Sequence, residues 1–325
     1  MPLNISKITH FLRYARLCVP LSLALAMSAT ALAQAQTQAT TARAGQQTQP
    51  QSERVETIRF ESKLTGKVLP YNVLLPPDYH RAAAKTKRYP VLYLLHGLTG
   101  HYTNWLERTR LADYAAAQDL IIVMPEGNNG WYSDSATVAA DKYESYFIEE
   151  LMPDVERRFR THGARDGRAV AGLSMGGYGA LKFGVKHPQL FSLAASTSGA
   201  VSAASWRTED EVKTTPFIRQ SLLQTFGAPD HPAKVSNDLF KLVRELPSER
   251  LARLPYFYLD CGTEDSLGLL APNRALADLF VERKIPHEYR QLPGTHNWAY
   301  WDRQVREILR LTVERLKPAS DTAAK

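Results

Sequence analysis

The feature that most constrains this chain is a serine flanked by glycines, Gly-Leu-Ser-Met-Gly-Gly at residues 172–177. It directly follows the strand-like run 168–171 and precedes the helix-compatible residues 178–186. A G-x-S-x-G motif at a strand-to-helix corner is typical of a nucleophile elbow, in which a strained turn presents the serine. The glycines leave room because a side chain beside this turn would collide with neighbouring backbone. The motif predicts that the Ser174 hydroxyl is a nucleophile.

The order of strands and helices predicts an α/β fold with a mostly parallel, doubly wound sheet. Continuous apolar runs at 89–95 and 120–124 are typical of strands that are buried on both faces. Further strands are expected at 168–173, 193–197, 256–260 and 287–292, alternating with helices. The alternating segments 55–61 and 68–75 predict an N-terminal antiparallel hairpin.

Three regions between the strands carry more detailed expectations. One helix is predicted from Asn104 to about Ala117, and a second from Tyr143 to Arg160 with a break or kink at Pro153. Residues 199–254 are polar and rich in proline, with short helical pieces, and we interpret them as an insertion or lid above the sheet.

The first 33 residues have the pattern of a secretory signal peptide. Lys7, Arg13 and Arg16 precede an apolar run, and small residues end the segment at Ala31-Leu32-Ala33. The apolar run is short for a membrane span, so an uncleaved anchor is the less favoured alternative. Residues 34–53 read as a disordered linker, 54–317 as the catalytic domain and 318–325 as a polar tail. A periplasmic or secreted location is predicted.

Charge and cysteine content exclude several classes of function. The formal charge is +7, and loss of the three basic residues of the signal segment would leave about +4. Basic and acidic residues are interspersed, so nucleic-acid binding is not predicted. Only Cys261 remains after cleavage, and no Cys/His metal spacing is present. We expect no metal, no cofactor and no stable membrane span in the mature protein; the pattern leaves the oligomeric state open.

A serine nucleophile needs a histidine base, and on this architecture the chain order is Ser, then Asp or Glu, then His. Four histidines follow Ser174: His187, His231, His287 and His296. Only His296 lies in a glycine-bearing loop between the last strand and the last helix, where the base is expected. The carboxylate should follow the preceding strand, where Asp260, Glu264 and Asp265 are available. Spacing alone does not choose between Glu264 and Asp265.

Two backbone amides are candidates for an oxyanion hole. The first is that of Met175, directly after the nucleophile. The second is that of Leu98, in the loop His96-Gly97-Leu98-Thr99-Gly100 that follows an early strand. We expect His96 to have a structural role because it lies upstream of Ser174.

Several of these motifs together resemble the esterase D family. They are the 96–100 loop, Asn129-Gly130-Trp131-Tyr132-Ser133, the elbow, Cys261-Gly262-Thr263-Glu264-Asp265 and Gly294-Thr295-His296-Asn297-Trp298. The resemblance covers most of residues 55–316 and is closest to the tributyrin-type esterases. It implies an α/β-hydrolase fold and a triad of Ser174, Asp265 and His296, and it favours Asp265 over Glu264. The predicted signal peptide argues against a cytoplasmic S-formylglutathione hydrolase.

Aromatic residues beside the predicted site are candidates for the substrate pocket. Trp131 and Tyr132 follow a strand-end loop, which is where substrate loops of open α/β sheets lie. Trp298 directly follows the histidine loop and is a third candidate. Trp298 and Trp301 are three residues apart on a helix, so a core position is at least as well supported for them.

The sequence therefore predicts an exported serine carboxylesterase that hydrolyses short-chain or aryl esters. Its substrate would be a small-molecule or carbohydrate-linked ester. One alternative is an acyltransferase, similar to the mycolyltransferases, on the same scaffold. Another is a carbohydrate- or partner-binding protein whose triad is idle. The natural ester stays open because one fold hosts many functions.

Overall fold

A computed structural model describes residues 54–205 and 215–317 of the chain. The predicted signal peptide, the linker and the polar tail lie outside the described residues. Within the two described ranges, no helix has both the length and the apolar character that crossing a membrane requires.

The sheet positions the candidate site residues on the segments that follow the carboxyl ends of its parallel strands. In the described residues it has eight strands: β1 (Val55–Ile58), β2 (Tyr71–Leu74), β3 (Val91–Leu95), β4 (Ile121–Pro125), β5 (Arg168–Leu173), β6 (Leu193–Thr197), β7 (Tyr256–Gly262) and β8 (His287–Leu292). Their order is β1-β2-β4-β3-β5-β6-β7-β8. The β1–β2 and β2–β4 pairs are antiparallel and the other five pairs are parallel. The predicted hairpin and mostly parallel sheet are confirmed.

Helices cover both faces of this sheet. Those described are α1 (Asn104–Arg108), α2 (Leu111–Tyr114), α3 (Tyr143–Ser145), α4 (Met152–Arg158), α5 (Met175–Lys186), α6 (Pro216–Phe226), α7 (Pro232–Asn237), α8 (Leu239–Arg244), α9 (Ser248–Leu251), α10 (Leu270–Glu282) and α11 (Trp298–Arg315). Parallel strands need such crossover helices, and their apolar faces bury the sheet on both sides.

Strand β3 shows how the sheet separates two cores. All five of its residues are buried, and successive side chains point to opposite faces. Tyr93 packs in the core that contains α5 and α10, whereas Leu92 and Leu94 pack in the core that contains α1, α2 and α11. A continuous apolar run is therefore the correct pattern for a strand that is covered on both sides.

The single helix predicted from Asn104 to about Ala117 is wrong, because the chain forms α1 and α2 instead. Between them Thr109 is extended, with φ −135° and ψ 169°. Its hydroxyl donates to the Trp105 carbonyl and accepts from the Leu111 amide. A threonine side chain that bonds to nearby backbone competes with the helix in this way.

The break expected at Pro153 takes the form of a wider turn. A π-helical stretch, Tyr146–Leu151, lies between α3 and α4, and the helical segment ends at Arg158. Pro153 has no N–H to donate to the carbonyl four residues earlier, and π-helical turns are one way in which a helix absorbs such a defect.

Helices α6 to α9 lie in the region that we interpreted as an insertion, residues 199–254. They connect β6 to β7. Residues 206–214 of this region lie outside the described residues. Thr215 begins the next described segment and caps α6 by accepting from the Ile218 amide.

Candidate active site

Ser174 lies between the end of β5 and the start of α5, on a strained turn. Its backbone angles are φ 51° and ψ −115°, a region that non-glycine residues rarely occupy. A Cβ on Gly172 would lie 2.4 Å from the carbonyl carbon of Gly176. A Cβ on Gly176 would lie 2.6 Å from the carbonyl oxygens of Leu95 and His96. Both glycines are therefore required by close backbone approach, and Ser174 as a whole residue is 9% exposed.

His296 bridges the serine to a carboxylate. Its Nε2 lies 3.0 Å from the Ser174 hydroxyl oxygen, and its Nδ1 lies 2.8 Å from Oδ2 of Asp265. Both distances are those of hydrogen bonds. With Nδ1–H donating to the carboxylate, Nε2 is free to accept the serine proton, which is the tautomer a general base needs.

Asp265, and not Glu264, contacts the histidine. The Asp265 carboxyl is fully buried, and its Oδ1 accepts from the amides of Leu267 at 3.0 Å and Leu269 at 3.4 Å. Glu264 is exposed to solvent. The turn after β7 thus fixes one carboxylate oxygen by backbone amides and aims the other at His296.

The two predicted oxyanion donors belong to different segments: Met175 is the first residue of α5, and Leu98 lies in the loop after β3. Leu98 lines the same cavity as Ser174, and the close approach of Gly176 to Leu95 and His96 holds its loop against α5. Within the described part of the chain, neither the Leu98 amide nor the Met175 amide donates a hydrogen bond. Two amides without a partner beside a nucleophile can stabilise a developing negative charge.

His96 supports the 96–100 loop through contacts of its side chain, which agrees with the structural role expected from the sequence. Its side chain is buried; Nδ1 lies 2.8 Å from the Gly97 carbonyl, and Nε2 lies 2.9 Å from the Gly127 amide nitrogen and 3.1 Å from Oε1 of Glu126. Nearby Glu126 accepts from the amides of Tyr102 and Asn128. Burial acts to raise the pKa of Glu126, but hydrogen bonding to His96 and these amides brings it below its usual value.

A cavity of about 500 Å³ opens onto Ser174 and His296. Most of its lining is apolar or aromatic, as in typical small-molecule sites. Leu98, Trp131, Phe217, Ile218, Leu267 and Trp298 contribute. Phe217 and Ile218 belong to α6, so the 199–254 region forms part of the wall; sequence reasoning did not identify these two residues.

The structure brings two of the three aromatic candidates to the cavity and places the third elsewhere. Trp131 and Trp298 line it, and so does Trp301, whose ring lies edge-on to His296 with centroids 5.0 Å apart. Tyr132 does not line the cavity: it is 1% exposed, and its hydroxyl donates to the His96 carbonyl. Trp131 and Tyr132 have φ values of 53° and 48°, and this unusual turn separates the two side chains.

A second buried carboxylate, Asp260, lies in β7 away from the histidine. Its Oδ1 accepts from the Thr197 hydroxyl at 2.7 Å and from the Tyr300 hydroxyl at 2.8 Å. Burial raises the pKa of Asp260 to about 7. Its neighbour Cys261 is also buried, with its sulfur 3.9 Å from Oδ2 of Asp265, and burial raises the pKa of the Cys261 thiol.

Comparison with known proteins identifies the family. Residues 62–312 match the esterase family described as "Putative esterase". The match spans most of the chain, so this protein belongs to that family, and its sheet is that of an α/β-hydrolase.

Two curated relatives illustrate the range of the family. Esterase Rv1288 of Mycobacterium tuberculosis is 36% identical over 286 residues, which cover 82% of this chain and 60% of that protein. The chain thus spans about 60% of the length of this relative. The acetyl esterase of Caldicellulosiruptor saccharolyticus is 26% identical, over 76% of this chain and 94% of its own length.

Solved structures share the architecture. That of a ferulic acid esterase superimposes with a TM-score of 0.70 at 29% identity, covering 81% of this chain and 97% of the other. An S-formylglutathione hydrolase from Staphylococcus aureus has a TM-score of 0.67 at 23% identity, covering 80% and 98%. The second likeness shows the fold alone.

Proposed function

We propose that this protein is an exported serine carboxylesterase that acts on short-chain or aryl esters. The observation that carries the proposal is the continuous contact Ser174–His296–Asp265, at 3.0 and 2.8 Å, on an elbow that opens into an apolar cavity. Membership of an esterase family supports it.

In the proposed reaction, Ser174 Oγ attacks the ester carbonyl while His296 Nε2 takes its proton. The amides of Leu98 and Met175 stabilise the oxyanion. His296 then gives the proton to the leaving alkoxide, and an acyl-enzyme remains on Ser174. Water, deprotonated by His296, attacks the acyl-enzyme, and the carboxylic acid leaves as Ser174 regains its proton. Asp265 holds the tautomer and stabilises the imidazolium without taking its proton.

The cavity and the relatives support small or aromatic acyl groups. Indole rings at Trp131 and Trp298 offer flat apolar walls within a space of about 500 Å³. Proteins named acetyl esterase and ferulic acid esterase are among the relatives, and their named acyl groups are short and aromatic respectively.

Substitution of the nucleophile tests the proposal. We expect Ser174→Ala to lower kcat for p-nitrophenyl acetate by roughly 10⁴- to 10⁶-fold, with weak residual catalysis from the oxyanion site. Ser198→Ala is the matched control, because Ser198 is a buried serine that also has positive φ, at 46°. Equal rates for Ser174→Ala and the parent protein would rule out this nucleophile.

Product analysis separates hydrolysis from acyl transfer. With glycerol or trehalose added, the proposed esterase releases free acid, whereas a transferase would form a new ester. A fluorophosphonate probe addresses the idle-site alternative, since labelling at Ser174 requires an activated serine.

Export is proposed from the pattern of residues 1–33. We expect the secreted or periplasmic protein to begin directly after Ala33, as measured by N-terminal sequencing after expression of the full chain in a bacterial host. Recovery of the uncleaved chain in the cytoplasm alone would contradict export and leave the esterase proposal standing.

A further inference from the structure

Lys182 is a lysine with a fully buried side chain, on the helix that begins at the nucleophile. It lies two turns along α5 from Ser174. A buried ammonium is costly unless it is paired and hydrogen-bonded, so its partners indicate what it stabilises.

Four oxygens surround the Lys182 ammonium. Its Nζ lies 2.7 Å from the Tyr132 carbonyl, 2.6 Å from the Ser133 hydroxyl and 2.8 Å from Oε2 of Glu144. The side-chain oxygen of Asn237 lies at 3.3 Å. Only Glu144 carries a charge, so most of these contacts tie the lysine to two neutral segments, the 131–133 turn and the end of α7.

The first of these segments forms a wall of the cavity. Trp131 and Tyr132 are consecutive non-glycine residues with positive φ, a conformation that is strained for residues with a Cβ. Such a turn persists only where its surroundings hold it. The Tyr132 carbonyl is held by Lys182, and the Trp131 indole N–H donates to the Ser221 hydroxyl in α6 at 3.1 Å.

The second segment belongs to the 199–254 region. Asn237 ends α7, and its backbone carbonyl accepts from the Tyr178 hydroxyl of α5 at 2.8 Å. Phe226 of α6 packs against the rings of Trp131 and Tyr178, with centroid distances of 6.2 and 5.9 Å. Helix α5 thus fixes both the Trp131 turn and the helices that cover the cavity.

The pKa shifts agree with a mutually stabilising Lys182–Glu144 pair. We call the contacts of Lys182 with Tyr132, Ser133, Glu144 and Asn237 the Lys182 clamp. Burial lowers the pKa of Lys182 to about 8, against the opposing effect of Glu144. Burial acts to raise the pKa of Glu144, but Lys182, His187 and Lys186 bring it well below its usual value. Lys182 and Glu144 each favour the charged form of the other.

We propose that Lys182 is a positioning residue for substrate selectivity: it contacts no substrate but sets the place of Trp131 relative to Ser174. Larger esters that reach Trp131 should depend on this placement more strongly than the smaller ester p-nitrophenyl acetate does. The inference rests on the esterase activity proposed above.

The test compares two lysines of one helix. Lys182→Met removes the ammonium group and retains an unbranched side chain of nearly the same length. Lys186→Met is the matched control, because Lys186 pairs with the same carboxylate at 2.7 Å, one turn further along α5, without contact to Tyr132 or Ser133. The double variant Lys182→Met/Glu144→Gln removes both charges, so that loss of wall contacts is separated from the cost of a buried unpaired carboxylate.

The measured quantity is a ratio of kcat/KM values with p-nitrophenyl acetate as the reference. p-Nitrophenyl hexanoate extends the acyl side and 1-naphthyl acetate extends the alcohol side. Each ratio is kcat/KM for a larger ester divided by kcat/KM for p-nitrophenyl acetate. We expect at least one of the two ratios to fall by roughly tenfold in both Lys182 variants, because a small change in pocket fit has an effect of this size. In Lys186→Met both ratios should stay within about twofold of the parent values.

The results that overturn the inference are distinct from those that overturn the esterase proposal. Unchanged ratios in the folded double variant, or an equal fall in Lys186→Met, would reduce Lys182 to an ordinary buried ion pair. Thermal unfolding midpoints establish which variants are folded. Full activity of Ser174→Ala on the reference ester would instead overturn the proposed nucleophile and leave the clamp comparison unaffected.

Discussion

Two buried aspartates in or near β7, Asp260 and Asp265, differ in what surrounds them and hence in what they can do. Asp265 meets two backbone amides and a histidine, a group that can become positively charged. Asp260 meets the hydroxyls of Thr197 and Tyr300. Its other oxygen has no hydrogen-bond partner in the described residues. Burial alone therefore does not determine which of the two carboxylates is suited to orient a histidine; the neighbouring groups do.

Among changes to these two aspartates and their partners, the largest expected effect comes from neutralising the carboxylate that faces the histidine. Asp265→Asn should lower kcat for p-nitrophenyl acetate by roughly 10³- to 10⁴-fold, because an amide no longer holds the tautomer that accepts the serine proton. Glu264→Gln is the control one residue away, and Asp260→Asn is the control in the same strand. Steady-state kinetics should show both within about threefold of the parent. A comparable loss of kcat in Asp260→Asn would contradict the different roles that we assign to the two aspartates.

The second effect concerns stability and pH. Burial raises the pKa of Asp260 to about 7, whereas an aspartate in an unfolded chain titrates near about 3.9. Between these values the folded protein keeps a proton that the unfolded chain has lost. The Asp260 contribution to the free energy of unfolding therefore falls as pH rises through this window, by at most roughly 1.4 kcal/mol per pH unit.

Asp260→Asn should remove that contribution. Urea unfolding at pH 5 and pH 7.5 should show a parent-minus-variant stability difference that is smaller at the higher pH. Asp278→Asn provides the control, since Asp278 is exposed on α10. Parallel pH profiles for Asp260→Asn and the parent protein would show that Asp260 binds no extra proton in the folded state.

The smallest expected effect is a change in the free energy of unfolding when a hydroxyl that donates to Asp260 is removed. Tyr300→Phe removes one donor to a buried carboxylate and should lower the free energy of unfolding by about 1–2 kcal/mol at pH 7.5. Tyr114→Phe is the comparison, because the Tyr114 hydroxyl donates to Asp302 at 2.9 Å in a partly exposed position. Its loss should be under about 1 kcal/mol. Equal losses for the two variants would mean that burial adds nothing to the Tyr300 contact.

Much of the fold follows from patterns that are local in sequence. The predicted bounds of β5 and β6 agree with the structure, because buried parallel strands read as short apolar runs that end at turn residues. The bounds of β8 agree as well, although β8 is a partly exposed strand at the end of the sheet. The chain order of serine, acid and histidine likewise follows from the architecture.

What the sequence left open depends on geometry within single loops. The choice between Glu264 and Asp265 is made by the amides of Leu267 and Leu269, which no spacing rule identifies. The prediction for Tyr132 was wrong because a turn with two consecutive positive φ values directs neighbouring residues to different places. Lys182 gave a weak signal that we did not use: a lysine between Leu181 and Phe183, on a helix whose only other charged residue is Lys186 at its end.

The burial of Cys261 makes this thiol a reporter of motion around the acid. In the mature chain predicted from the sequence it is the sole cysteine, and its sulfur lies 3.9 Å from Asp265. A disulfide reagent can react only when the end of β7 opens, because the closed state hides the sulfur and disfavours the thiolate. The rate at which the reagent labels Cys261 in the folded protein thus measures how often the Asp265 loop opens. Covalent modification of Ser174 should lower this rate if the acyl-enzyme stabilises the closed loop.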